Sequence, residues 1–165
     1  MELLIGFGGN QGDVEAAFSR ALRGLREEAR VAACSGLWRS APEGPPQADY
    51  LNAAALVEFG GHPLALLTIC RRLEAAAGRE RAGRERWRPR PLDLDLLLAP
   101  GVVISCTALE LPHPRLSGRR FALAPASELA PDWVHPRALR TLAELATSPE
   151  VAAQRCDRLG RFPTS

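Results

Sequence analysis

The sequence contains no lysine, so all 21 of its basic residues are arginine. Every cation is therefore a planar guanidinium fork, suited to holding phosphate or carboxylate oxygens two at a time. Set against 19 acidic residues, the formal net charge is only +2. That balance is too small to mark a nucleic-acid coat or a membrane-surface protein. Aromatic residues are scarce, at 5%, so Ala, Leu and Val must fill most of the core that a 46% hydrophobic content implies. The four cysteines (Cys34, Cys70, Cys106 and Cys156) form no CxxC pair and no Cys/His ligand spacing. Free thiols in a reducing cytoplasm are expected. No run reaches the ~18 apolar residues that cross a bilayer. The opening MELLIGFGGN has no basic flank and too short an apolar stretch for a secretory signal. There is no internal repeat, low-complexity tract or interdomain linker. The expectation is one cytoplasmic domain over residues 1–165, with residues 150–165 a polar, peripheral tail.

The pattern along the chain supplies the elements. ELLIGFGGN reads as a buried strand over 2–8, closed by glycines where backbone must approach something closely. Asp13 caps a helix whose apolar side is Val14, Ala17, Phe18, Ala21, Leu22 and Leu25. Residues 30–40 read as one strand. Residues 41–49 form a loop, because their prolines and glycine suit neither ladder nor helix. Residues 50–59 form a third strand. His62-Pro63 opens a second helix that runs to about 77, and Gly78 ends it. A fourth strand covers 92–98, with GVVIS (101–105) pairing beside it. A turn and a short helix follow within 111–131, and a last helix spans 137–146. The order β-α-β-β-α-β predicts an α+β fold: a ferredoxin-like core with an antiparallel sheet, plus additional C-terminal helices.

The chemistry concentrates in one segment. In LDLDLLL the side chains alternate, so Asp93 and Asp95 share a strand face and Leu92, Leu94 and Leu96 share the other. Carboxylates at i and i+2 start ~7 Å apart and can converge at their tips. Such a pair repels itself unless a cation intervenes. Magnesium takes one or two carboxylates and completes its shell with water and phosphate oxygens. A DxD on an edge strand with nearby arginines is also an ordinary solvated face, so the loop before it must weigh in. Arg79, Arg81, Arg84, Arg86, Arg88 and Arg90 fall at every second or third position, opposed only by Glu80 and Glu85. With Trp87 in their midst, phosphate-binding forks and a stacking ring on one loop describe a lid. Asn52 on its strand either reads the edge of a planar heterocycle or bonds the neighbouring backbone. Phe121, His113 and Tyr50 each carry both a packing reading and a pocket reading.

GFGGNQGD (6–13), RSAPEGPPQADYLNAAA (39–55), LEAAAGRER (73–81), RWRPRPLDLDLLL (86–98) and LPHPRLSGRRFALAPASELAP (111–131) occur in that order. Together they resemble the 6-hydroxymethyl-7,8-dihydropterin pyrophosphokinases of folate biosynthesis, from about residue 3 to 145. The resemblance implies transfer of a pyrophosphoryl group from ATP to the hydroxymethyl oxygen of the reduced pterin, leaving AMP. It implies ATP as co-substrate, two magnesium ions on Asp93 and Asp95, small-molecule partners without nucleic acid or membrane, and a monomer. Arg79 and Arg90 match lid arginines that contact the phosphates and join Asp93 and Asp95 as the catalytic set. Arg81 and Arg86 match further basic lid positions. Trp87 matches the lid tryptophan that closes over both substrates. Glu74, Leu96, His113 and Arg119 match positions around the nucleotide. Asn52 resembles the residue that reads the pterin edge, beside Asp93. Tyr50 and Phe121 resemble its aromatic surroundings, and Ser40, Ala41 and Glu43 its loop. The departures are Arg88 where the family usually has a lid glycine, Gly9 where it usually has a serine-like residue, and Glu110 and Pro114 at nucleotide-contact positions. The lid length leaves Arg81 and Arg84 interchangeable. No residue is required as a general base. The rival readings are an RNA-binding ferredoxin-like module and another magnesium-dependent phosphotransferase. Against the module stand the sparse aromatics and the carboxylates inside the basic segment.

Overall fold

The apolar N-terminal run forms β1 (Glu2–Gly9), whose side chains alternate between two cores. Leu3, Ile5 and Phe7 enter one, and Leu4 enters the other. The structure, a computed structural model, describes residues 1–78 and 88–163. Asp13 caps α1 (Val14–Glu28) by accepting the Ala16 N–H at 3.0 Å, as a short side-chain acceptor at this position does.

The single strand expected over 30–40 is two strands, β2 (Arg30–Cys34) and β3 (Gly36–Ser40). Ser35 divides them. Its buried hydroxyl accepts the Ala54 N–H and donates to the Gly36 carbonyl, both at 2.8 Å. A side chain thus substitutes for a ladder partner, and the two short strands pair with different parts of β4 (Tyr50–Glu58). Next come α2 (Pro63–Ala76), with the His62 imidazole accepting the Leu64 N–H at 3.2 Å, and β5 (Asp93–Leu98).

GVVIS does not lie beside β5. Ile104–Ser105 (β6) pairs with Glu110–Leu111 (β7) in a small hairpin. The outer edge of β5 is already engaged. The Glu74 carboxylate accepts the Leu94 N–H at 2.8 Å, and the Leu97 carbonyl accepts the His113 N–H at 2.8 Å. After a 3-10 turn at Leu116–Gly118 comes α3 (Arg120–Leu129). The helix expected from 137 begins only at Leu142. Val134–His135 (β8) and Arg140–Thr141 (β9) form a hairpin, which Leu139 turns at φ 53°, before α4 (Leu142–Ala146). Thr141 and Glu144 form a reciprocal capping box that fixes the start of α4. α5 (Pro149–Ala152) follows.

The terminal segment is not the peripheral tail expected of it. Cys156–Arg161 (β10) pairs with β3 as an edge strand. Phe162 is buried, with ring centroids 5.2 Å from Phe7 and 6.1 Å from Phe18. The main sheet runs β10-β3-β4-β1-β5 with every neighbouring pair antiparallel, and β2 pairs with β4. α1 and α2 bury Phe18, Leu22, Leu25, Leu66 and Cys70 against one face. On the other face Leu123, Ala126, Leu142, Leu145 and Val151 cover only the end near Leu4, Leu97 and Leu98.

Candidate active site on the open sheet face

Strand alternation sends Leu94 and Leu96 into the α1/α2 core, so Asp93 and Asp95 point the other way. Register sets Asp93 beside Gly8 and Asp95 beside Gly6 of β1. Across β1, Gly8 faces Asn52 and Gly6 faces Ala54. A Cβ built on Gly8 would lie 3.8 Å from both Asn52 Oδ1 and the Asp93 Cβ. Two polar side chains therefore rise on either side of a residue without one, which leaves a floor for a flat ligand. Asn52 is 3% exposed. Its Nδ2 donates to Ser40 Oγ at 2.9 Å, which fixes the amide with Oδ1 over the floor.

Asp93 is half-buried, and its Oδ2 accepts a hydrogen bond from Arg90 Nη1 at 2.7 Å. Arg119, within electrostatic reach of Asp95, lies 5.2 Å from the Phe121 ring centroid. Its Nη2 donates to Glu43 Oε2 at 2.6 Å, joining the 41–49 loop to the start of α3. Burial lowers the Arg119 pKa, while Glu43 and Asp95 favour its charge. His113 Nδ1 accepts the Arg115 N–H at 3.2 Å. Burial first, and then Arg119 and Arg115, push its pKa down to about 4. The imidazole is thus neutral near pH 7, with its proton on Nε2. Among the described residues no group of three or more His, Cys, Asp and Glu could cage a metal. A carboxylate pair beside an open floor is nonetheless a donor set that suits magnesium, which takes most of its shell from water and phosphate.

A family model described as 7,8-dihydro-6-hydroxymethylpterin-pyrophosphokinase (HPPK) matches residues 4–131. The chain belongs to this family. A Synechocystis 2-amino-4-hydroxy-6-hydroxymethyldihydropteridine pyrophosphokinase is 38% identical over 144 residues, covering 86% of this chain and 73% of that one. The enzyme of the same name from Methylorubrum extorquens is 39% identical over 133 residues, covering 79% and 83%. A crystal structure of wild-type Plasmodium falciparum HPPK-DHPS superposes with a TM-score of 0.66 at 12% identity. It covers 88% of this chain, which spans only 40% of that one, and at such identity it bears on the fold alone. No helix among the described residues is long and apolar enough to cross a membrane.

The structure of this HPPK-family chain gathers Asp93, Asp95 and Asn52 onto one face. Ser40 sits behind Asn52, and Arg90, Glu43, Arg119 and Phe121 stand at the margins. The Tyr50 hydroxyl points to Gln47 Oε1 at 3.5 Å, and Ala41 follows β3 half-buried. Two of the expected nucleotide positions have buried side chains. Leu96 is 3% exposed within the core below the sheet, so only its main chain remains for a ligand. Glu74 is 1% exposed, and its Oε1 accepts the N–H of the residue between the two aspartates, which makes it a support for β5. Arg79, Arg81, Arg84, Arg86 and Trp87 lie outside the described residues, and with them most of the expected lid. Gly9 has a steric reason: a Cβ there would come within 2.6 Å of the Pro91 carbonyl oxygen.

Three residues escaped the sequence reading. Glu128 accepts Trp38 Nε1 at 2.8 Å, the Gly36 N–H at 2.8 Å and Arg158 Nε at 3.0 Å, fastening α3 to β3. Asn10 and Gln47 bridge the loops at the mouth of the site. Each lies inside one of the segments that carry the resemblance, but these bonds span tens of residues, which local spacing does not announce. The one signal was Asn10 itself, an amide placed directly after the glycines that end β1.

Proposed function

We propose that this protein transfers the pyrophosphoryl group of ATP to the hydroxymethyl oxygen of 6-hydroxymethyl-7,8-dihydropterin, releasing AMP, as a single catalytic domain of folate biosynthesis. The observation that carries the reading is the row Asp93–Gly8–Asn52. It sets metal-type carboxylates beside a heterocycle-reading amide across a floor with no side chain. The pterin lies on that floor with its edge toward Asn52 and its ring between Tyr50 and Phe121. Its hydroxymethyl group points toward Asp93. The β-phosphorus is attacked, the bond to the oxygen bridging the α-phosphate breaks, and that oxygen leaves on AMP.

Asp93 and Asp95 would hold magnesium, proposed as two ions, which when bound neutralises phosphate charge and eases deprotonation of the attacking hydroxyl. Little covalent work is left to the protein, so its residues act by placing and by charge. Arg90 exchanges part of its hold on Asp93 for phosphate oxygens. Arg119, held by Glu43 and backed by Phe121, adds positive charge near Asp95. Neutral His113 offers a donor without a second charge. The strand order β5-β1-β4-β3 supports a ferredoxin-like core, with β10 added at the edge. The protein is proposed to act on small molecules as a cytoplasmic monomer, and the small net charge supports only the lack of a nucleic-acid or membrane-surface partner. The test is incubation of protein, magnesium, ATP and the pterin, followed by nucleotide analysis. AMP is expected; ADP would indicate a simple kinase, and unchanged ATP would remove the enzymatic reading.

A further inference from the structure

Resting on that reading, we infer that the Glu43 carboxylate is an internal competitor of the nucleotide's phosphates. It occupies Arg119 in the free protein, and the nucleotide must displace it to take that cation. The bond is direct and charged: Arg119 Nη2 donates to Glu43 Oε2 at 2.6 Å. The two partners are unequally placed. The Arg119 side chain is 14% exposed, and that of Glu43 is 41% exposed. Arg119 packs 5.2 Å from the Phe121 ring centroid, and its main-chain N–H donates to the Leu116 carbonyl at 3.3 Å. Glu43 stands exposed on the 41–49 loop. Of the two, the carboxylate is the one that can leave. Burial works against the charge on Arg119, and so does Arg115. Glu43 is the first of the neighbours that favour that charge, ahead of Asp95. A partly buried guanidinium is costly without an anion, so Arg119 keeps Glu43 until another anion takes its place.

The atom that Glu43 holds decides the effect. A guanidinium grips two oxygens at once along one of two edges, Nε with Nη2 or Nη1 with Nη2. Nη2 belongs to both. Among the described residues the Arg119 side chain donates to Glu43 only, and no buried side-chain nitrogen lacks a partner. Nε and Nη1 are therefore open to solvent, where a phosphate oxygen can reach either one singly. A two-handed grip requires Glu43 to move. The triphosphate has a second anchor close by, since Asp95 is within electrostatic reach of Arg119 and is one of the two proposed magnesium carboxylates. When the nucleotide departs, the carboxylate returns to Nη2. The cation is never left unpaired, and release is eased at the expense of affinity.

The experiment measures dissociation constants for two ligands in the presence of magnesium. One is an ATP analogue whose α,β-bridging oxygen is a methylene; the other is adenosine, which has no phosphate. Wild type, Glu43→Gln, Glu43→Ala, Arg119→Ala and the Glu43→Ala/Arg119→Ala double variant are compared, and AMP formation from ATP and the pterin is followed in wild type. Glu43→Ala is expected to bind the analogue about fivefold more tightly than wild type. Glu43→Gln, whose amide oxygen still accepts but carries no charge, should gain a smaller factor. Adenosine should bind the Glu43 variants as it binds wild type. In the Arg119→Ala background the gain from Glu43→Ala should vanish, because nothing is left to compete for. A carboxylate that merely braces the loop against α3 has the opposite sign: its loss would leave Arg119 poorly placed and weaken the analogue. That result, or an unchanged affinity, overturns the inference. So does a gain that persists without Arg119, which marks general repulsion between carboxylate and phosphate, and so does an equal gain for adenosine, which marks a change in pocket shape. Glu43→Gln keeps the test decisive should Glu43→Ala disturb the loop. Wild type that makes AMP alongside any of these contrary results overturns the inference alone. Wild type that makes no AMP overturns the functional reading and this inference together.

Discussion

The two faces of the main sheet are built from the same strands and do opposite work. Below it, α1 and α2 seal Leu3, Ile5, Phe7, Leu92, Leu94 and Leu96 from water. Above it, α3, α4 and α5 seal only the end near Leu4, Leu97 and Leu98. The rest of that face carries Asp93, Asp95 and Asn52 around a glycine floor. β5 belongs to both, one residue apart. A one-residue slip would bury two carboxylates among leucines, at a cost of several kcal/mol for each unpaired charge. The hydrophobic face therefore fixes where the reactive face must be, and the chemistry depends on packing it never touches.

Substitutions on β5 separate the two faces. Asp95→Ala has the largest expected effect on the upper face. AMP formation should drop by about 10²–10³-fold or more, with the melting temperature unchanged. Full activity in that variant would end the metal assignment. Leu94→Ala, its immediate neighbour, should do the reverse. A buried Leu→Ala change costs about 2–5 kcal/mol of stability, read as a lower denaturant midpoint, while turnover per folded molecule stays within a few-fold. Comparable loss of turnover in the two variants would dissolve the distinction between the faces.

Glu74→Ala tests where the faces meet. It leaves the Leu94 N–H without its acceptor, at about 1–3 kcal/mol. It should also cost several-fold in turnover, because the residue between the aspartates is no longer held. The smallest effect is expected from His113. Its pKa is lowered to about 4 in the fold, against roughly 6.5 when unfolded. Between those values the unfolded chain binds more protons, so stability falls as pH drops from about 6.5 toward 4. His113→Gln should flatten that part of the stability–pH curve, and an unaltered slope would show that the ring titrates normally.

Much of this was legible beforehand because local pattern and tertiary environment agreed. β1 and β4 were apolar runs bounded by glycine, and α1 announced its cap and its buried stripe. The alternation in 92–98 assigned each side chain its face. Elements decided by distant partners were not legible. Ser35 splits a strand because its hydroxyl finds Ala54. GVVIS turns away from β5 because Glu74 and His113 already hold that strand's outer edge. β10 is a largely polar edge strand, so it carries little apolar periodicity, and Cys156 at its start and Phe162 beyond it mark burial. Thr141 and Glu144 did spell a capping box, but the helical spacing upstream concealed it.

By itself the sequence determined the family, the pair of carboxylates on one strand face, and the arginines and amide that suit a phosphate and a heterocycle. These follow from residue type and short-range spacing, which no packing can change. Only the tertiary structure decided that Gly8 lies between Asp93 and Asn52, that Leu96 faces the core, that Glu74 supports β5, and that Asn10 ties Arg90 to Gln47. Each of these depends on which strands and loops become neighbours, and that is settled by sealing the lower face of the sheet completely and one end of the upper face.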